Sequence, residues 1–394
     1  MKQGWEIKKL GECFEYIKNG ANIKQERGAG GIPITRIETL SGGVFNRDRL
    51  GYADIESIDK YHSYVMESGD LLLSHINSKS YIGRVVVYVK EGNETIIHGM
   101  NLLRLKVIPE IISPFYMYYY SQTHKFKSQI ANRRKDAVNQ SSISVADLKT
   151  IDVPIPPREE QERIVEELDC LSGVIEKKKQ QLKELDALAQ SIFYQMFGDP
   201  ITNEKGWEVK KLEEVCHKIG DGLHGTPKYD EDGGVAFING NNLIDGKIVI
   251  TDRTLFVNDI EAQKYRIDMD ANTILLSING TLGRTAIFRN ENVILGKSAC
   301  YCNINNTFLI TKFVEHLMNS ISFKGFLEDN SSKSTIKNVG LKAIRGYGII
   351  LPPLTLQQEF ADKIEAIDIQ KRLIKESIAK TEELFNSIMA YYFN

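Results

Sequence analysis

One segment is written twice in this chain. Gly4-Trp5-Glu6-Ile7-Lys8-Lys9-Leu10 returns 202 positions later as Gly206-Trp207-Glu208-Val209-Lys210-Lys211-Leu212, and Pro156-Pro157 with Gln161 returns 196 positions later as Pro352-Pro353 with Gln357. Leu73-Ser74 matches Leu276-Ser277, Gly83-Arg84 matches Gly283-Arg284, and Ser191-Ile192 with Phe197 matches Ser387-Ile388 with Phe393. Short periods of roughly 20–50 residues build solenoids, whereas a repeat of about half of 394 residues can carry its own core. The pattern predicts a duplicated domain, and a duplicated domain predicts a duplicated target.

With 42% hydrophobic and 26% charged residues, the composition is that of an ordinary globular protein. The start lacks a signal-peptide core, and no run approaches the ~18 apolar residues of a membrane span. A cytoplasmic protein with no membrane association is expected. Five cysteines (Cys13, Cys170, Cys216, Cys300, Cys302) without Cys-x-x-Cys spacing indicate neither a disulfide framework nor a zinc site; Cys300 and Cys302 read as one face of a strand. The net charge of −2 is unevenly spread: residues 1–157 hold 21 Lys and Arg against 17 Asp and Glu, and residues 206–353 hold 17 against 17. Residues 158–197 hold 6 against 9, and residues 354–394 hold 5 against 7. Acidic segments beside neutral or mildly basic domains are compatible with protein contacts at the former and DNA at the latter.

Each repeat opens with short β-branched runs between Gly, Asn and Asp turns, at 31–37, 70–74 and 83–89, then 234–238, 273–277 and 284–288. A helix is predicted over 115–130, with a counterpart near 311–327, and the Tyr118-Tyr119-Tyr120 run in it reads as packing in preference to a base-stacking platform. Each repeat closes with a long helix. Ile164, Leu168, Leu171, Ile175, Leu182, Leu185, Ala189, Ile192 and Met196 follow the four- and three-residue steps of a coiled-coil seam. Shifted by 196, the seam continues through Phe360, Ile364, Ile367, Ile374, Ile378, Thr381, Phe385, Ile388 and Tyr392, with Lys178 and Lys371 as its polar interruptions. The first helix must deliver the chain to the second domain and the second has nothing further to reach, so the pair is expected to lie antiparallel, about 57 Å long at ~1.5 Å per residue.

The expected fold is α+β: two similar β-rich domains at 1–157 and 199–353 (with 199–205 as linker), separated by long antiparallel helices at 158–198 and 354–394. The coiled coil makes a dumbbell with internal pseudo-two-fold duplication. Pro156-Pro157, Pro352-Pro353 and the loop from Gly198 to Gly206 mark the boundaries.

No catalytic site is legible. Gly296-Lys297-Ser298 lacks the upstream glycine of a nucleotide-binding loop, with Glu291 in its place. Glu6-Ile7-Lys8 imitates half of a nuclease site but has almost no chain before it to supply a second carboxylate, and the histidines lack metal-ligand spacing.

The opening Gly-Trp-Glu-x-Lys-Lys-Leu, the loop Asp221-Gly222-Leu223-His224-Gly225-Thr226-Pro227, the Leu-Leu-Ser strands leading to Gly-Arg, and Pro-Pro-x-x-x-Gln before a long helix occur in order, most of them twice. Together they resemble the DNA specificity subunit of type I restriction-modification enzymes over essentially the whole chain. The resemblance implies a non-catalytic, DNA-binding protein of a restriction system. Each β-rich part would be a target recognition domain reading one half of a split sequence in double-stranded DNA, and the helices would fix the gap. Two methyltransferase subunits would carry S-adenosylmethionine, and restriction subunits, bound through the complex, would carry ATP and Mg. No cofactor is expected in this chain.

Polar loops aligned between the copies supply candidate DNA contacts: Arg36 and Thr39 against Asn239, Asn241 and Asn242; Asn77, Lys79 and Arg84 against Asn279, Thr281 and Arg284; Arg133, Arg134, Lys135, Asn139 and Gln140 against Lys333 and Lys337. His224, Thr226 and Lys228 join them from the glycine-rich loop. Arg, Asn and Gln suit base edges, while Lys, Ser and Thr suit phosphates; Arg84 and Arg284 equally suit a structural role at a strand start. On the helices, Val174, Leu188, Phe193, Leu373 and Leu384 are apolar positions left outside the seam, expected to be exposed and to dock the methyltransferase. A stand-alone DNA-binding regulator and a protein-interaction scaffold are the alternatives.

Overall fold

The computed structural model describes residues 4–26, 31–137 and 140–393. The chain divides into two compact units, Met1–Lys179 with Glu376–Asn394, and Gln180–Lys375. Each unit thus combines one β-rich part with a portion of both long helices.

In the first unit the central antiparallel sheet runs in the order Phe14–Asn19, Leu102–Val107, Leu71–Ser74, Val85–Val87. Leu71 and Leu73 enter the cluster beneath the helices, while Leu72 enters a second cluster with Met66, Val86 and Tyr88. Burial on both faces explains why the run is unbroken where a half-solvated strand would alternate. The second unit repeats the order with Cys216–Asp221, Ala299–Ile304, Thr273–Ser277 and Thr285–Ile287. Cys300 and Cys302 lie in one cluster and Tyr301 in another, so the two thiols do share a strand face.

The helix expected over 115–130 is two helices, Pro114–Gln122 and His124–Arg133. Thr123 is extended between them, and its Oγ1 accepts the Phe126 amide at 3.2 Å. Ser320 does the same for Phe323 at 3.2 Å, dividing Thr311–Asn319 from Ile321–Asp329. Side-chain oxygens of Ser and Thr favour such caps over helix interiors. Tyr116, Tyr119 and Tyr120 are buried, and the Tyr116 and Tyr120 hydroxyls donate to the carbonyls of Pro154 (2.8 Å) and Asp152 (2.6 Å). The tyrosine run is therefore core packing.

The long helices span Arg158–Phe197 and Leu354–Phe393. Every seam position is buried or half-buried. In the first unit Ile164 and Leu168 share a cluster with Phe385, Ile388, Tyr392 and Phe393; in the second, Leu185, Ala189 and Ile192 share one with Phe360, Ile364 and Ile367. The start of one helix meets the end of the other in each unit, so they pack antiparallel. Lys178 reaches the Ser377 hydroxyl and Lys371 the Asp186 carboxylate, so both polar interruptions of the seam are satisfied.

The repeated Gln is explained by one clasp. Gln161 accepts the Ser113 amide at 2.8 Å and donates to the carbonyls of Ile111 and Pro156 at 2.9 and 3.0 Å. Gln357 accepts the Ile310 amide at 2.8 Å and donates to Phe308 and Pro352 at 3.0 and 2.8 Å. Prolines end a strand and begin a helix there, and the fully bonded amide ties that corner to the loop before the first short helix. A buried amide left half-satisfied would cost about 1–3 kcal/mol.

Candidate nucleic-acid interface

Thr39 and Asn242, expected to touch DNA, do the same internal work in the two units. The Thr39 hydroxyl accepts the Arg36 amide at 2.8 Å and donates to the Arg49 carbonyl at 3.3 Å. Asn242 accepts the Asn239 amide at 3.0 Å and donates to the Val249 carbonyl and the Thr254 hydroxyl, both at 2.9 Å. Both side chains are buried and bonded within their own turn, so each shapes the turn that carries its neighbours. Asn239 accepts the Asn241 amide at 2.9 Å, leaving Asn241 itself exposed. Arg36 is half-buried, with Nε 3.7 Å from Glu38.

A second group gathers where the strand Ile76–Asn77 pairs with Ser141–Ser142, which in turn pairs with Lys135–Asp136. This small sheet brings Asn77, Lys79, Arg134, Lys135 and Gln140 together. Asp136 sits among them, ion-paired to Lys79 at 3.0 Å and to Arg134 at 3.0 Å. The Ser141 hydroxyl, then Lys79 and Arg134, hold its carboxyl down at about 2. Lys79 and Arg134 thus share one carboxylate, which offsets one of their two charges, while Lys135 and Gln140 are exposed. The Arg133 guanidinium is drawn back to the Thr150 hydroxyl at 2.9 Å and the Gln129 carbonyl at 3.1 Å, bracing the end of its own helix. Asn139 lies outside the described residues.

The second unit builds the same corner with Asn279 bridged to Asn338 and the Gly280 amide bonded to the Lys337 carbonyl at 2.9 Å. Lys333 and Lys337 are exposed on this serine-rich loop. Gly83 and Gly283 occupy the left-handed region at φ +80° and +79°, where a β-carbon would be strained, and each turns the chain into an arginine. Arg84 is half-buried, with its guanidinium 4.4 Å from the Tyr81 ring; Arg284 and Thr281 are exposed. In the glycine-rich loop His224 bonds Asp221 at 2.6 Å, Thr226 and Lys228 are exposed, and the Lys228 amide is fixed by Glu261 at 2.9 Å.

Sequence reasoning missed three residues beside this corner. Glu38, Arg49 and Tyr81 line a cavity of about 290 Å³ together with Ser41, Asn77 and Arg84. Glu38 lies between the aligned Arg36 and Thr39, but Arg49 and Tyr81 carried no signal beyond their residue types.

On the helices, Leu188, Leu373 and Leu384 are exposed by 48, 56 and 50%. Val174 is half-buried. Phe193 is only 2% exposed, packed on Phe313, His316 and Phe360. It was expected outside the seam, but this stretch of helix also packs against Thr311–Asn319.

The model of the type I restriction modification DNA specificity domain matches residues 2–187 and again 204–383. The putative type I restriction enzyme MjaX specificity subunit of Methanocaldococcus jannaschii is 30% identical over 410 residues, covering 98% of this chain and 93% of that one. The type I restriction enzyme StySPI specificity subunit of Salmonella potsdam is 21% identical over 433 residues, covering 100% and 89%. In fold, the S subunit of a type I restriction-modification system from M. genitalium matches with a TM-score of 0.61 at 13% identity, over 99% of this chain and 97% of that chain. A chain from a structural study of assembly and conformational transition of the type I R-M system matches with a TM-score of 0.56 at 18% identity, over 100% and 98%. Two copies of one matched domain, nearly full-length relatives and the repeated sheet together place the chain in the type I restriction-modification DNA specificity family, as a non-catalytic specificity subunit.

Proposed function

We propose that this subunit acts in the cytoplasm as the reader of a split sequence in double-stranded DNA, with residues 1–157 reading one half and residues 199–353 the other. One observation carries the reading: two matched scaffolds hold unmatched polar side chains. Arg36, Glu38 and Lys79 of the first unit stand where the second has Asn239, Asn241 and Thr281, on the same cap turn and before the same Gly-Arg turn. Equal frames with unequal hydrogen-bonding groups suit two half-sites of different bases. The helices at 158–198 and 354–394 set the gap and dock two methyltransferase subunits through their outward face, where Leu188, Leu373 and Leu384 lie. S-adenosylmethionine belongs to those subunits; ATP and Mg belong to the restriction subunits that join through the complex.

The test is co-purification with the cognate methyltransferase, followed by mapping of methylated sites. A split methylated sequence is expected, and removing two heptads from both helices in step should change its gap. Methylation of a continuous sequence, or an unchanged gap in an active shortened complex, would overturn the corresponding part.

A further inference from the structure

A cavity lies beside the Gly83 turn. It brings together two guanidinium groups, Arg49 and Arg84, one carboxylate, Glu38, the Asn77 amide and the half-exposed ring of Tyr81. Arg84 has its guanidinium 4.4 Å from that ring and gives one 3.3 Å hydrogen bond to the Leu40 carbonyl. Neither Arg49 nor Arg84 forms an ion pair among the described residues, in contrast to Arg47 and Arg104 of the same unit. Two unpaired guanidiniums lining one concavity ask for acceptor atoms from outside.

The concavity also adjoins the basic corner. Asn77 lies on the strand that pairs with Ser141–Ser142, and that strand pairs with Lys135–Asp136. Glu38 decides what enters. A carboxylate at the rim disfavours a bare phosphate, but it accepts readily from the amino group of cytosine, while arginine bonds O6 and N7 of guanine.

Resting on the half-site reading proposed above, we infer that Glu38, Arg49 and Arg84 form the base-reading site of the first unit, and that its half-site contains a G·C pair contacted there. Tyr81 and Asn77 position the reading groups. The counterpart turn, with Asn241, Thr281 and Arg284, reads a different pair for the second unit.

The experiment uses the whole methyltransferase complex carrying Glu38→Gln or Arg49→Lys, with methylated sites mapped and rates measured on DNA varied at each position. Both residues are exposed, and Arg49→Lys keeps the charge while losing the two-pronged bond. The expected result is a roughly ten- to hundredfold slower reaction on the original sequence and relaxed demand for one G·C pair, confined to one half-site. Arg284→Gln should instead alter the other half. Unchanged specificity at an unchanged rate overturns the inference. So does an equal loss on all sequences with a shallower salt dependence, which would mark Arg49 as a phosphate contact. If the unaltered complex methylates no split sequence, the half-site reading itself falls, and this inference falls with it.

Discussion

The two units share a sheet order, a cap turn and a glutamine clasp, yet the first buries an ion pair where the second has none at the matching place. Asp70 and Arg104, 0 and 2% exposed, meet at 2.7 Å, and Asp70 also accepts the Glu67 amide at 2.6 Å. The matching strand positions of the second unit hold Thr273, bonded to Asn303 at 3.1 Å, and Tyr301. Since one topology stands with and without the pair, the pair is a local solution and not a demand of the fold. Buried pairs often add little over an apolar replacement, but breaking one leaves a lone charge.

The largest losses should fall where the units are alike. Phe197 and Phe393 end the two helices, one against Phe313 and Phe360, the other against Tyr116 and Tyr120. Phe197→Ala and Phe393→Ala should each cost about 3–5 kcal/mol in urea unfolding. A small cost at Phe393 alone would show that the last turn is peripheral to the first unit's core, and the equivalence would break.

Asp70→Ala should come next, at about 3 kcal/mol, near the low end for a broken buried pair because Arg104 keeps its bonds to the Ser63 and Val65 carbonyls. Thr273→Ala, at the matching place, should cost only about 1 kcal/mol. Equal costs, measured by the same unfolding transition, would mean the two sheets handle polar groups alike after all.

The seam was legible because coiled-coil packing repeats in sequence with the helix itself, so Ile164 through Met196 announced their partner face. The clasp of Gln161 and Gln357 was visible as a repeat, although its bonds were not. The bonds that Thr39 and Asn242 make within their turns were not legible, because a polar residue in a turn suits backbone capping and DNA contact equally well. The fold-back of Arg133 onto Thr150 was not legible, because a run of three basic residues carries no information on which guanidinium turns inward. Asp70 and Arg104 gave no signal at all: they lie 34 positions apart and meet only through the pairing of two strands. Phe193 was placed outside the seam because periodicity reports one packing face, and that stretch of helix has two.

A smaller contrast is in acid. In the first unit Glu94 accepts Arg47 at 2.6 and 2.9 Å and Tyr88 at 3.0 Å. Arg47 above all holds its carboxyl down at about 2. The folded value is below the unfolded value of about 4.3, so this contact stabilises fully above that pH and is lost as pH falls toward 2. Glu94→Gln should flatten the decline of the first unit's stability between roughly pH 4.5 and 2 and leave the second unit's transition where it was. An unchanged acid profile would show that other carboxylates dominate.

The smallest effect separates the basic corners. Lys135 in the first unit, and Lys333 and Lys337 in the second, are exposed and form no ion pair among the described residues, whereas Lys79 and Arg134 are held by Asp136 and Arg133 by its own helix. Each phosphate contact contributes roughly −0.9 to the slope of log affinity against log salt. Lys135→Ala should therefore shallow the slope of the complex by about 0.9, and Lys333→Ala with Lys337→Ala by about 1.8. Arg133→Ala should leave the slope alone and lower only stability, because its hydrogen bonds are internal. A slope that responds to Arg133 but not to Lys135 would mean that the corner rearranges on DNA, exchanging the Thr150 contact for a phosphate, and the difference between the two basic corners would then belong to the free protein alone.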